Sequence, residues 1–215
     1  TNVKNMTSMA MLTALAYVVM LLSKTLPQVS GFLQMDLKDT IICIGGFVFG
    51  PLSAAIISIV VAVVEMFTYS DTGIIGCIMN VLATVSFCCT ASYIYKRQHT
   101  RRGAVLGLAA ATVALVAVML LWNYLITPLY MTGTSRADIA GMLVPVFLPF
   151  NLLKAGLNSA FILALYKPLV TALRKTGLLP KKESRSSGSK AGLYIFAAGL
   201  LITCILLVLV LQGKL

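Results

Sequence analysis

Residues 40–50 read TIICIGGFVFG, an uncharged run closed by Gly50-Pro51. A helix that spans a bilayer alone needs roughly 20 residues, so a run this short crosses only if it is tilted, sits in thinned bilayer, or is packed inside a bundle. Whether it counts as a helix sets the side of the membrane on which every later loop falls. Longer apolar runs lie at about 6–26, 53–69, 74–95, 104–126, 146–172 and 191–212. With 40–50 as a short second helix there are seven.

Charge placement favours that count. With a cytoplasmic amino terminus, the loop holding Lys96, Arg97, Arg101 and Arg102 falls inside, as does the stretch holding Arg174, Lys175, Lys181, Lys182, Arg185 and Lys190. This satisfies the excess of Lys and Arg on the cytoplasmic side. The opposite face receives Asp36, Asp39, Asp71 and Asp138, with Lys24, Lys38 and Arg136. Omitting the short helix would put the two basic loops on opposite sides.

Composition agrees with a membrane protein. Hydrophobic residues make up 59% of 215 and charged residues 11%, with a mean hydropathy of +0.96. The net charge of +11 is concentrated in short loops beside helix ends, which reads as a topology signal and not as a nucleic-acid surface. The expected class is an all-α, multi-pass membrane protein. Residues 1–175 form a six-helix core, 176–190 a basic, flexible cytoplasmic linker, and 191–215 an additional C-terminal transmembrane helix. The five cysteines lie in apolar runs without metal-ligand spacing, and His99 stands alone in a basic loop, so no metal site is expected. The phosphate-cradling Gly-x-x-x-x-Gly-Lys-Ser/Thr pattern is absent, as is any Ser/His/Asp set, which argues against an enzyme and against direct use of ATP.

Polar residues inside the apolar runs mark the candidate site. In 144–169, VPVFLPFNLLKAGLNSAFILALYKPL, Asn151, Lys154 and Asn158 stand at i, i+3 and i+7 and share one helix face. Pro145 and Pro149 interrupt the backbone just before them, and backbone groups freed at membrane depth are tolerated where they line a cavity. The stripe therefore suggests a ligand pocket; the alternative is a lysine snorkelling to an interface beside two asparagines that bond neighbouring helices. On the same side lie Asn123, Tyr124 and Tyr130 around Pro128, and the loop holding Asp36 and Asp39. Trp122 and Tyr130 fit an interfacial aromatic belt equally well. Glu65, toward the outer end of its helix, is the carboxylate expected to neutralise Lys154, the alternative being plain exposure at the interface. Ala10 and Ala14, in MTSMAMLTALAYV (6–18), have the small-xxx-small spacing that lets another helix approach closely.

Taken together, the Ala-xxx-Ala first helix, MDLKDTIICIGGFVFGPLSA (35–54), WNYLITPLY (122–130) and LPFNLLKAG (148–156) resemble the riboflavin-specific substrate-binding S-component of the energy-coupling factor (ECF) transporters, over about residues 6–175. The resemblance implies the plasma membrane of a prokaryote and a six-helix binding protein that captures vitamin from outside and releases it inward when a transmembrane coupling subunit and two ATPases drive it. It further implies that Asn123, Asn151 and Lys154 line a flavin site, that the loop around Asp36, Leu37 and Asp39 acts as a lid, and that Ala10 and Ala14 face the coupling subunit. Tyr130, Asn158 and Glu65 complete the candidate riboflavin-binding set. The last helix departs from the six-helix pattern. Riboflavin enters as transported substrate and not as cofactor. The sequence leaves flavin mononucleotide open, since a phosphate could project from the pocket mouth toward Lys38 or Arg136. A stand-alone transporter for another vitamin or nucleobase, or a membrane enzyme using the same cavity, are the competing readings.

Overall fold

The computed structural model describes residues 3–25, 33–69, 73–130, 135–175, 197–199 and 202. The expected linker 176–190 and Asp71 lie outside the described residues, as does most of the segment 191–215 and the side chain of Tyr130.

Among the described residues every regular element is helical: α1 (Val3–Ser23), α2 (Lys38–Phe49), α3 (Pro51–Thr68), α4 (Gly73–Gln98), α5 (Arg101–Leu125), the single turn α6 (Thr127–Tyr130), α7 (Arg136–Met142) and α8 (Leu148–Lys175). Among the described residues, five segments, 3–23, 51–68, 73–98, 101–129 and 136–175, are long and apolar enough to cross a membrane. Their bounds follow the apolar runs closely, because uninterrupted hydrophobicity and internal backbone bonding are both needed to span lipid. Large apolar side chains such as Leu52, Ile59, Phe67, Leu106, Val113 and Leu121 are exposed on the outside of the bundle. In water such a surface would be a liability, whereas against lipid tails it is matched.

The short run at 40–50 is the helix α2, and its length is explained by where it sits. Every residue from Lys38 to Phe47 is buried, and α2 touches α1, α3, α4 and α8. A helix apolar all round is a core helix, with no lipid face to fill. It ends where Gly50 takes φ 101°, a left-handed conformation suited to glycine, and Pro51 opens α3 with its ring at the first helical turn. Its close approach depends on Gly46: a Cβ there would come within 2.9 Å of Ala54 Cβ and far too near Ser92 Oγ. Gly107 does the same for α4 and α5, where a Cβ would lie 2.9 Å from Ala91 O. Small residues in membrane bundles let backbones meet in this way. Of the last segment, Ala197 is buried within the main core cluster and Ile202 is exposed.

Candidate functional site

The chain between α7 and α8 is a π-helical turn, Leu143–Phe147, in which the Leu148 N–H reaches back to Leu143 O. Pro145 lies inside this turn and Pro149 in the first turn of α8. The wider turn leaves helical carbonyls to be satisfied otherwise, and one side chain does so: Asn151 Nδ2 donates to Phe147 O at 2.8 Å. Asn151, Lys154 and Asn158 are all buried, at 3%, 8% and 1% exposure, so the lysine does not snorkel to open water.

These residues meet α2 and the segment that precedes it. Asn158 Nδ2 donates to Asp36 O at 2.9 Å and to Lys154 O at 3.0 Å, and Asn158 Oδ1 accepts from Thr40 Oγ1 at 2.8 Å. Both amide hydrogens and the oxygen of Asn158 are thereby engaged within the protein. Above it, Met35 packs with Phe150 and Leu153, joined by Leu33 and Leu157, so that residues 33–37 roof the polar face of α8 with apolar surface. Leu37 is half-buried, and its N–H bonds Ser23 Oγ at 3.1 Å.

Lys154 takes Asp39, not Glu65, as its counter-charge: Nζ lies 3.8 Å from Asp39 Oδ2. Glu65 instead receives Lys38 at 2.5 Å, Lys24 at 3.1 Å and Asn80 at 3.2 Å. The expected Glu65–Lys154 pair is thus replaced by two others, because α2 contacts both α3 and α8. Lys38 and Asp39 are consecutive on that helix and project about 100° apart, one toward Glu65 on α3 and the other toward Lys154 on α8. Lys38 is 1% exposed and also pairs with Asp36 at 2.7 Å, so it does not reach the mouth of a pocket. Burial alone would raise the Asp36 carboxyl, but Lys38 and Lys154 outweigh it and hold it below its ordinary value.

The balance of bonds identifies groups with capacity to spare. Lys154 Nζ makes no hydrogen bond among the described residues beyond its long ion pair. Asp39 Oδ1 accepts from Thr84 at 2.7 Å, while Oδ2, on a side chain 1% exposed, accepts no hydrogen bond. Asn151 uses one amide hydrogen, keeping its oxygen and the other hydrogen. On α5, Asn123 donates to Met119 O at 2.7 Å and accepts from Thr127 at 3.0 Å, keeping one hydrogen. Next to it in sequence, the buried indole N–H of Trp122 has no partner among the described residues. A buried polar atom left unbonded costs roughly 1–3 kcal/mol, so Asp39 Oδ2, beside Lys154, calls for an explanation. On α8 and α2, Lys154 and Asn151 have donors, and Asn151 and Asp39 acceptors, chemically suited to a ligand that presents both carbonyls and N–H or O–H groups.

Sequence reasoning missed Lys24, Thr40, Asn80 and Thr84 as parts of this network. Lys38 was visible in the alternating Asp-Leu-Lys-Asp of 36–39, which is the signal that a buried ion cluster leaves. Ala10 and Ala14 are both exposed, on the face of α1 away from the buried Ser8, Leu12, Ala16 and Met20.

Comparison with known proteins places this arrangement. A family model described as the substrate-specific component of ECF transporters matches residues 4–166. The chain is 30% identical over 178 residues to a protein of Staphylococcus aureus (strain TCH60) named riboflavin transporter RibU, covering 80% of this chain and 93% of that protein. It is 27% identical over 161 residues to the riboflavin transporter FmnP of Bacillus subtilis (strain 168), covering 71% and 85% respectively. A solved structure of the S component of a bacterial ECF transporter superposes with a TM-score of 0.67 at 27% identity, over 80% of this chain and 98% of that one. The six-helix bundle with its buried short second helix is thus an S-component fold, and the chain belongs to the substrate-specific component family of ECF transporters.

Proposed function

We propose that this S-component binds riboflavin at the end of the bundle built from α8, α2 and α5, and delivers it inward as part of an ATP-driven importer. The observation that carries the reading is Lys154, a residue 8% exposed whose ammonium has three donors and, among the described residues, a 3.8 Å ion pair to meet them. Riboflavin has a flat, largely apolar ring edged with carbonyl and imide groups, and a ribityl chain of hydroxyls. Lys154 and the spare amide hydrogens of Asn123 and Asn151 suit its oxygens, while Asn151 Oδ1 and Asp39 Oδ2 suit its N–H and O–H groups. Leu37 supplies wall, Asp36 and Asn158 hold the roof in place, and Glu65 is the counter-charge behind it. Two relatives that share most of their length with this chain are named riboflavin transporters, which supports the same ligand. Lys38, one of two cations that a mononucleotide phosphate could meet, is occupied by Asp36 and Glu65, which favours the uncharged vitamin.

Docking to a coupling subunit with two ATPases supplies the energy that this chain has no phosphate-binding loop to obtain. The exposed Ala10 and Ala14 give a partner helix a face on which to lie close. The basic loops support a cytoplasmic amino terminus and α4–α5 connection in a prokaryote, with the site opening outward. Titrating the purified protein with riboflavin while following flavin fluorescence tests the ligand. Saturable, stoichiometric quenching is expected, and its absence in folded protein overturns the reading.

A further inference from the structure

The polar end of the bundle holds one carboxylate whose bonds all point away from the proposed ligand groups. Glu65 is 3% exposed. It is met by Lys24 just beyond the end of α1, by Lys38 at the start of α2 and by Asn80 on α4. The two lysines flank the connection between α1 and α2, and the described part of that connection, 33–37, is fastened to them. Lys24 Nζ donates to Gln34 Oε1 at 3.1 Å, and Gln34 Nε2 donates to Lys24 O at 3.4 Å. Lys38 N donates to Asp36 Oδ1 at 2.9 Å, and its Nζ pairs with Asp36 Oδ2 at 2.7 Å. Asp36 O is the atom that Asn158 of α8 holds. One anion therefore anchors both sides of the segment that roofs the polar face of α8.

We propose that Glu65 is a positioning residue: through Lys24 and Lys38 it holds residues 33–37 down on α8 and thereby sets how long a bound ligand stays, the second part resting on the riboflavin reading above. Neutralising it leaves Lys38, buried, with Asp36 as its near partner and sets Lys24 free to turn to water or to the Tyr69 ring, whose centre is 5.4 Å from its Nζ. A buried charge that loses a partner destabilises what it was holding, and the element with fewest other ties opens first. Here the segment that both lysines hold is 33–37.

The test separates opening of the segment from ligand contact. A reporter cysteine, Leu33→Cys, is placed where the segment packs on Phe150 and Leu153, with labelling of the parent chain subtracted as background. In ligand-free protein, Glu65→Gln is expected to raise thiol-labelling at position 33 by about tenfold or more. With riboflavin, it is expected to raise the dissociation rate by a similar factor while association changes little. Glu65→Asp should restore most of both. Lys24→Met should give part of the effect and add nothing in the Glu65→Gln background, since neighbours in one network are not additive. Unchanged labelling in Glu65→Gln overturns the proposal. A faster dissociation without faster labelling also overturns it, because Glu65 then touches the ligand itself. If Glu65→Gln does not fold, the Lys24→Met variant decides by the same readings. If the parent protein binds no riboflavin, the functional reading falls while the labelling arm still decides whether Glu65 holds the segment.

Discussion

The two ends of this bundle handle charge in opposite ways. At one, Lys24, Lys38 and Lys154 face Asp36, Asp39 and Glu65, all at least mostly buried and joined by ion pairs. At the other, Lys96, Arg97, Arg101 and Arg102 stand exposed, around an apolar floor where Phe47 stacks on Tyr95 at 4.4 Å and Tyr95 shares a 3.0 Å hydrogen bond with Tyr166. A cavity of about 150 Å³ lies there, lined by Phe47, Tyr95, Tyr166 and their neighbours. Exposed like charges serve topology, because they resist crossing the membrane and contribute little to stability. Buried matched charges are costly to assemble and costly to break, so they are found where geometry must be held. The contrast teaches that a membrane protein's exposed charges report how it sits in the bilayer, whereas its buried ions report where its geometry is held.

The sharpest way to break the contrast is to remove one buried ion. Lys38→Met leaves two carboxylates facing each other without their shared cation and should cost about 3–5 kcal/mol, read as a large drop in thermal unfolding temperature in detergent. A loss below about 1 kcal/mol would mean that the cluster behaves like a surface pair.

How much of this end was legible in sequence follows from the same residues. The stripe of Asn151, Lys154 and Asn158 was readable because helical periodicity places i, i+3 and i+7 on one face. The short α2 was readable from charge parity, although its all-round burial was not. Periodicity tells which residues share a face but not which neighbouring helix that face meets. So Glu65 was assigned to Lys154, when the insertion of α2 between α3 and α8 gave each its own partner. Lys24 and Asn80 carried no signal at all, since lone polar residues near helix ends usually sit at the interface.

Next in size come the ligand groups. Lys154→Met and Asn151→Ala each remove a placed polar group and should weaken riboflavin binding by about 1–3 kcal/mol, roughly tenfold or more in Kd. Fluorescence titration checks both, and a Kd unchanged in both variants would remove them from the site.

At the basic end the expected effects are small. Arg97 donates to the Tyr93 hydroxyl at 2.5 Å, on an exposed helix surface. Arg97→Gln should change stability and riboflavin affinity by no more than about 0.5 kcal/mol. A larger loss of affinity would show that the two ends are coupled without a partner subunit.

Smallest for binding is the pair Ala10→Trp and Ala14→Trp. Both positions are exposed on α1, so affinity in detergent should match the parent. Uptake in cells that make the coupling subunit and ATPases should nevertheless be lost. Normal uptake with both tryptophans present would place the docking face elsewhere.

The central claim is that a buried cation with unspent donors marks a riboflavin site. It is tested most directly by calorimetric titration of the parent and of Lys154→Met, each first shown to be folded by its unfolding transition. The account predicts one riboflavin per parent chain and an affinity about tenfold or more weaker in the variant. Equal affinities in two folded proteins, or no heat of binding in the parent, would contradict it.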